Sequence, residues 1–141
     1  MAFIDDLLEQ VKRHEGLRLE MYHCTEGFPT IGYGHNLHVP ISENVAEIML
    51  IEDLKIVFQE LDYHVPWWED LPENAQLVLC NMCFNLGWPK YSQFKKFWAA
   101  LEDRDYKKAS EEMLDSRWAN QVKGRATELS KLMLECDDSQ G

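Results

Sequence analysis

The sequence predicts an α+β fold that is mainly helical and contains a small antiparallel sheet near the N-terminus. Glycines at 16, 27, 32 and 34 divide the stretch 17–35 into short segments typical of strands joined by tight turns. From residue 42 onward, apolar residues recur at helical spacing almost to the C-terminus. We therefore expect a small sheet lobe, a long helix leaving it and a helical lobe.

The two helices that flank the predicted sheet have clear start and stop signals. A helix is predicted over 2–14, where apolar residues repeat every three or four positions, and Gly16 ends it. A longer helix is predicted over 42–62, with Ser42 as its N-cap. Pro66 closes this second segment because proline does not continue a helix.

The rest of the chain is predicted to be helical. The expected helices cover 72–86, 93–102, 106–114, 117–121 and 124–135. Ser92 and Asp105 are the predicted N-caps of the second and third of these. We place everything in one domain, 1–141, with a sheet lobe at about 15–41, an interlobe helix at about 42–62 and a helical lobe at about 66–135 that includes the N-terminal helix.

The composition indicates a packed globular protein. Of its 141 residues, 45% are hydrophobic and 11% aromatic, which is enough to build an interior. No apolar stretch approaches the roughly 18 residues that a transmembrane helix needs. Asp5 and Asp6 stand where a signal peptide would be basic. We expect a protein made in the cytoplasm that does not insert into membranes.

The formal net charge of −11 argues against two classes of partner. Binding to nucleic acid requires clustered cations that displace counterions, and anionic membrane surfaces make the same demand. The acidic balance would also repel any other anionic partner. A local basic patch could offset it, and the candidates are Lys95, Lys96, Lys107 and Lys108.

Four cysteines are present, at positions 24, 80, 83 and 136. In a reducing cytoplasm we expect free thiols. Cys80 and Cys83 form a CxxC spacing, but it lies in an apolar stretch with no second pair of ligands. A zinc site usually needs four ligands, so these thiols are interpreted as core packing. We predict neither a metal nor a cofactor.

The densest polar cluster of the sequence lies between residues 14 and 35. Glu15 ends the first helix, one turn beyond the apolar Val11. This position predicts that its carboxyl faces the packed side of the helix. Partial burial disfavours a carboxylate and raises its pKa, which is what a general acid near neutral pH requires.

Glu15, Cys24 and Thr30 are separated by eight and five residues, and this spacing resembles the catalytic signature of the phage lysozymes of glycoside hydrolase family 24. The run TEGFPTIGYGH at 25–35 is similar to the family as well. So are NMCFNLG at 81–87 and SRWANQ at 116–121, followed by Arg125 and Ala126. The resemblance thus covers nearly the whole chain. It implies a two-lobed lysozyme fold that hydrolyses the β-1,4 bond between N-acetylmuramic acid and N-acetylglucosamine in peptidoglycan.

The resemblance also implies roles for individual residues. Glu15 would protonate the glycosidic oxygen, while Cys24 and Thr30 would position the attacking water. Arg125 would reach back to Glu15. His35 and Asp53 would form a structural pair between the lobes, and Asn85 and Gln121 would bind substrate.

Cys24 departs from the family pattern, since many relatives carry Asp at this position. An ordinary thiol has a pKa of about 8.5, and the acidic neighbours Glu15, Glu20 and Glu26 are expected to raise it. Cys24 is therefore interpreted as a polar positioner or weak base for the water. Glu26 is the alternative second carboxylate, because strand alternation would put it on the same face.

Two other functions stay open from the sequence. A lytic transglycosylase would break the same bond with Glu15 alone, whereas the retained Thr30 favours hydrolysis. An inactive glycan-binding relative would fit the missing Asp, but it would have no need of Glu15 and Thr30. For the lead interpretation we expect a monomer that acts in host cell lysis. Without an export signal, it would need a holin-type pore protein to pass from the host cytoplasm to the periplasmic wall.

Three tryptophans could be read as sugar-stacking platforms. Trp118 lies within a matched block, and Trp67 and Trp68 follow a proline at a helix junction. Such positions favour packing, so none of the three is predicted to bind substrate.

Overall fold

The computed structural model describes residues 2–140, and side chains through residue 137. It confirms the mainly helical α+β class. The elements in chain order are α1 (Ala2–Glu15), β1 (Arg18–His23), β2 (Pro29–Gly32), β3 (His35–Asn36), α2 (Glu43–His64), a short 3₁₀ helix (Trp68–Asp70), α3 (Glu73–Leu86), α4 (Trp88–Tyr91), α5 (Lys95–Glu102), α6 (Tyr106–Leu114), α7 (Arg117–Val122) and α8 (Gly124–Gln140). Among the described residues, no helix is long and apolar enough to cross a membrane.

The chain divides into two compact units, Met1–Glu47 and Ile48–Gly141. The first unit contains α1 and an antiparallel sheet in the order β1-β2-β3. Thr30 lies on the central strand, where it pairs with Tyr22 on one side and Asn36 on the other. The sheet therefore holds Thr30 from both edges of β2.

Two glycines set the geometry of the first unit. Gly16 has a φ of +73°, and its amide donates to the carbonyl of Lys12, so α1 ends as the sequence predicts. Gly34 has a φ of +78° in the turn between β2 and β3. Both values lie in the left-handed region that side chains with a Cβ rarely adopt.

The second unit is built around a buried hydrophobic core that runs from Val57 to Cys136. Its most buried members include Leu61, Leu79, Met82, Leu101, Met113 and Met133. These residues come from α2, α3, α5, α6 and α8, and Tyr91 of α4 and Trp118 of α7 join the same interior, so seven helices contribute to it. Apolar residues at helical spacing are the reason, because each helix presents one apolar stripe.

Most predicted helix boundaries are confirmed within a few residues. Ser42 accepts from the amide of Val45 at 3.2 Å and Asp105 accepts from the amide of Lys108 at 3.1 Å, so both predicted caps exist. Two expectations are wrong. Ser92 is not the N-cap of α5 but the C-cap residue of α4; its hydroxyl donates to the carbonyl of Pro89, and α5 begins only at Lys95. The last helix does not stop at 135 but continues to Gln140.

The cysteines of the second unit confirm the packing interpretation. Cys83 and Cys136 are buried, and Cys80 is half-buried against the same core. Burial raises the pKa of Cys80 and of Cys83 to about 11. Both stay protonated thiols near neutral pH, so they behave as small apolar side chains.

Candidate active site

Glu15 is the last residue of α1, and its side chain lies over the turn between β2 and β3. A Cβ atom added at Gly34 would stand 2.6 Å from Glu15 Oε2, closer than such contacts normally occur. Glycine at 34 thus makes room for the carboxyl. The prediction that Glu15 is partly buried is wrong, because α1 has no buried residues and Glu15 is exposed.

Cys24 begins the short loop that joins β1 to β2. Its amide donates to the carbonyl of Phe28 at 2.9 Å, and its carbonyl accepts from the amide of Gly27 at 2.8 Å. These two bonds close the loop 24–28 onto itself. The thiol stands at the mouth of this loop and is half-exposed.

The pKa of Cys24 is lowered, which corrects the sequence-based expectation that it would be raised. A backbone hydrogen bond from Phe28 is the largest cause, followed by one from Glu26. Desolvation and the negative charge of Glu26 act in the opposite direction and are outweighed. Hydrogen bonds to the charged form favour that form, so the loop amides support a thiolate.

Thr30 is the one buried residue among the described residues of Met1–Glu47, with 4% of its surface exposed. Its Oγ1 donates to the carbonyl of Phe28 at 2.9 Å, the same carbonyl that accepts from the Cys24 amide. A threonine hydroxyl carries one proton and two lone pairs. With its proton directed at Phe28, Thr30 keeps acceptor capacity for a water molecule.

The structure places the remaining predicted residue of the first unit, His35, on β3. Its Nε2 is buried and has no hydrogen-bond partner in the part of the chain whose side chains are described. Asp53 is exposed on α2 and belongs to the second unit. Their pairing stays a prediction.

Asn85, predicted to bind substrate, has its side-chain oxygen occupied. Asn85 Oδ1 accepts from the indole N–H of Trp118 at 2.7 Å, which joins α3 to α7. The amide nitrogen of Asn85 is free to donate, because Asn85 is exposed and no acceptor for it exists in residues 2–137. Trp118 is buried in the core, as expected. Gln121 is exposed on α7.

Arg125 lies at the start of α8, and two of its guanidinium nitrogens donate to one side-chain oxygen on α3. Its Nε and Nη2 donate to Asn81 Oδ1 at 2.8 and 2.6 Å, and Nη2 also approaches the Asn81 carbonyl at 3.4 Å. The guanidinium is therefore held in place within the second unit. The predicted reach of Arg125 to Glu15 stays a prediction.

A cavity of about 400 Å³ in the second unit carries charges of both signs. We call it the mixed-charge cavity. Lys95 and Lys96 line it from α5, and Glu112 and Asp115 line it from α6 and the residue after it. Two of the four lysines predicted to form a basic patch therefore share a cavity.

A sequence model of the phage lysozyme family matches residues 12–133. The chain belongs to the phage lysozyme family. This membership makes it a glycoside hydrolase of the lysozyme type, the class of enzyme that cleaves peptidoglycan. The match covers all the catalytic and substrate-binding residues predicted from the sequence.

Curated relatives of this lysozyme family member include an endolysin from Acyrthosiphon pisum secondary endosymbiont phage 1, 34% identical over 87% of this chain and 84% of that protein. The pre-baseplate central spike protein Gp5 of Enterobacteria phage T4 is 28% identical over 91% of the chain, which spans only 27% of that protein. A probable T4-type lysozyme of Dictyostelium discoideum is 25% identical over 87% of the chain and 90% of its own length.

Three features of this lysozyme site were missed from the sequence. They are the amides of Glu26 and Phe28 beside the Cys24 sulfur, the contact of Gly34 with Glu15, and Asn81 as the partner of Arg125. The glycine had a signal, since it stands in the matched run 25–35. The amides had none, because every non-proline residue carries one and only the loop geometry aims it.

Proposed function

We propose that the protein is a muramidase that hydrolyses the β-1,4 bond between N-acetylmuramic acid and N-acetylglucosamine in peptidoglycan. One observation carries the proposal: at the end of the β1–β2 hairpin the Thr30 hydroxyl and the Cys24 amide both donate to the carbonyl of Phe28, which holds the two residues side by side. The same unit carries Glu15 against the Gly34 turn. An acid and a water-holding pair are the parts that glycoside hydrolysis requires.

In the proposed reaction, Glu15 gives its proton to the glycosidic oxygen as the bond to the anomeric carbon breaks. Water attacks that carbon from the opposite face, as in an inverting glycosidase. Thr30 accepts one O–H of the water, because its own proton goes to the Phe28 carbonyl. The second water proton moves to the Cys24 thiolate, which the loop amides stabilise. Glu15 is exposed, so its carboxyl is accessible to a substrate.

Cys24 is favoured over Glu26 as the group that receives the water proton, because Cys24 and Thr30 are tied to the same carbonyl, that of Phe28. The pair of variants Cys24→Ala and Glu26→Gln decides between them. We expect Cys24→Ala to lose most activity, and Glu26→Gln and Cys24→Asp to keep a substantial part of it. A fully active Cys24→Ala together with an inactive Glu26→Gln would transfer the role to Glu26.

Substrate contacts in the second unit are proposed for three sets of groups. The free amide nitrogen of Asn85 and the exposed side chain of Gln121 can bond to sugar hydroxyl or acetamido groups. The mixed-charge cavity suits the peptides of the wall, which carry carboxylates and amines. Lys95 and Lys96 would offset locally the repulsion that a net charge of −11 creates.

For the biological role we propose host cell lysis by a monomer. Two curated relatives are named endolysins, one of them from Salmonella phage P22, 35% identical over 57% of the chain. Under this proposal the enzyme waits in the host cytoplasm and a holin-type pore protein admits it to the periplasmic wall.

The products test the proposed reaction. Purified peptidoglycan is digested, and the released fragments are analysed by mass spectrometry. Hydrolysis leaves reducing-end N-acetylmuramic acid, whereas a lytic transglycosylase leaves 1,6-anhydro ends that are lighter by one water. Predominantly anhydro ends would assign the transglycosylase reaction, and the absence of any sugar product would favour a glycan-binding protein without turnover.

A further inference from the structure

The five tryptophans of the chain fall into two groups. In Trp68, Trp98 and Trp118 the indole N–H is bonded inside the protein, to Asp62, to the carbonyl of Tyr91 and to Asn85, respectively. Trp67 and Trp88 are half-buried, and neither indole N–H has an acceptor in the described part of the chain. Neither indole nitrogen is fully buried, so both N–H groups are accessible to solvent. Buried indoles usually find a partner, and these two leave a donor unused.

The two tryptophans whose indole N–H groups have no acceptor in the described part of the chain, Trp67 and Trp88, line the same cavity. It has a volume of about 390 Å³, lies wholly in the second unit, and is called the tryptophan cavity below. Its lining residues are His64, Val65, Trp67, Trp88, Ser92, Lys95, Trp98, Ala99 and Glu102. None of the predicted catalytic residues belongs to it.

Each indole ring contacts a second side chain: Trp88 contacts His64, which lines the cavity, and Trp67 contacts Arg104, which does not. The His64 imidazole stacks on Trp88 with centroids 4.5 Å apart and planes 10° from parallel, and His64 also contacts Glu60 at 3.3 Å. The guanidinium of Arg104 lies over Trp67 at 4.8 Å. Each ring is therefore kept in orientation before any ligand arrives, which lowers the entropic cost of binding.

Polar groups of both signs border the rings. Lys95 and Glu102 are exposed, and neither joins an ion pair within the described residues. The hydroxyl proton of Ser92 goes to the Pro89 carbonyl, so its oxygen can accept. Lys95 and Arg104 disfavour a cationic ligand, and Glu102 disfavours an anionic one. The lining thus suits a neutral ligand with an apolar face and polar edges.

We propose that the tryptophan cavity is a second carbohydrate-binding site that takes a sugar ring of a peptidoglycan glycan strand. A pyranose ring has an apolar C–H face that packs on an indole, while its hydroxyl and acetamido groups match the free N–H donors, Lys95, Glu102 and Ser92. The inference rests on the proposed function for the identity of the glycan. Its effect would be to hold the enzyme on an insoluble strand by a second contact.

The test uses chains that carry Glu15→Gln, so that the wall is bound but not cut. In this background Ala99→Phe places a ring in the cavity from α5, where Ala99 is exposed and contributes nothing to the core. Ala99→Ser is the matched control, because serine and phenylalanine have similar helix propensities and serine leaves the cavity open. Trp67→Leu removes one of the two indole rings from the lining as an independent variant.

Binding to purified sacculi is measured by co-sedimentation, and binding of chitotetraose by quenching of tryptophan fluorescence. We expect Ala99→Phe and Trp67→Leu to weaken binding to sacculi by about tenfold or more, as loss of one of two linked contacts does, with Ala99→Ser unchanged. Circular dichroism of each variant checks that the helices persist. Equal binding by folded Ala99→Phe and Ala99→Ser would overturn the second site.

The outcome separates from that of the proposed function. The wild-type chain is assayed for sugar products in parallel. If products form and Ala99→Phe binds sacculi like the control, the second site is refuted while the muramidase stands. If no products form and Ala99→Phe still loses binding, the cavity is a carbohydrate site and the muramidase proposal fails.

Discussion

The two units of the chain differ in what holds their key residues in place. Among the described residues of Met1–Glu47 only Thr30 is buried, whereas Ile48–Gly141 encloses a core to which all seven helices α2 to α8 contribute. In the first unit the proposed site residues Glu15, Cys24 and Thr30 lie at tight turns and backbone hydrogen bonds. The second unit is held by apolar burial. Chemistry and packing are thus supported by different forces within one short chain.

The cysteines show the same difference in a single residue type. Backbone hydrogen bonds, that of Phe28 first, lower the pKa of Cys24, while burial raises the pKa of Cys80 and Cys83 to about 11. An exposed loop with converging donors favours the thiolate, and an apolar interior favours the thiol. The environment, not the residue, decides which one can act as a base.

The largest expected effect comes from removing the acid of the first unit. Glu15→Gln keeps the side-chain volume but cannot donate a catalytic proton, so activity on peptidoglycan should fall by about 10²–10⁴-fold. The thermal midpoint should not move, since Glu15 is exposed. Glu9→Gln, on the same exposed helix, is the control and should keep full activity. More than a tenth of wild-type activity in Glu15→Gln would remove Glu15 from the mechanism.

A matched pair of leucines measures the packing difference between the units. Leu79 is fully buried in α3, so Leu79→Ala should lower the free energy of unfolding by about 2–5 kcal/mol. Leu19 on β1 is 81% exposed, and Leu19→Ala should change it by less than about 0.5 kcal/mol. Urea unfolding followed by circular dichroism gives both values. A similar loss in the free energy of unfolding for the two variants would contradict the difference in packing between the units.

Alkylation at several pH values compares the reactivity of the Cys24, Cys80 and Cys83 thiols. Cys24 should react with iodoacetamide about tenfold faster or more than Cys80 and Cys83 near pH 7.5, since thiolate is the reactive form. Because the pKa of Cys24 is lowered, its labelling should rise with pH before that of an ordinary thiol. Peptide mapping by mass spectrometry identifies the modified residue. The adduct would displace the water beside Thr30, so activity should be lost in step with labelling of Cys24.

Asn85 tests whether one residue serves both packing and binding. Asn85→Leu leaves the buried Trp118 N–H without its acceptor and should cost about 1–3 kcal/mol of stability. Asn85→Asp keeps an acceptor and should retain most of that stability, while it removes the amide that could donate to sugar. Loss of activity in folded Asn85→Asp would support the substrate role. Undiminished activity would leave Asn85 as the partner of Trp118 alone.

Much of the fold could be predicted because local signals and final structure agree. Ser42 and Asp105 cap the helices that they were expected to cap, since N-capping depends on residues within one turn. The prediction that Ser92 is an N-cap was wrong because residues 88–91 form a separate helical turn. This turn places the serine after a helix instead of before one. Tertiary packing of Tyr91, fully buried, favours that turn.

Residues close together in the chain were enough to predict the α+β class and the hairpin of β1 and β2. The same holds for the spacing of Glu15, Cys24 and Thr30. Tertiary structure decided the direction of the Cys24 pKa, since the donating amides are aimed only when the loop 24–28 closes. It also decided which indoles are satisfied and which remain free. The acceptor of Trp118 lies 33 residues away, and the Arg125 guanidinium reaches back 44 residues to Asn81. Hydrogen-bond partners this distant carry no local pattern, so only the packed helices bring them together.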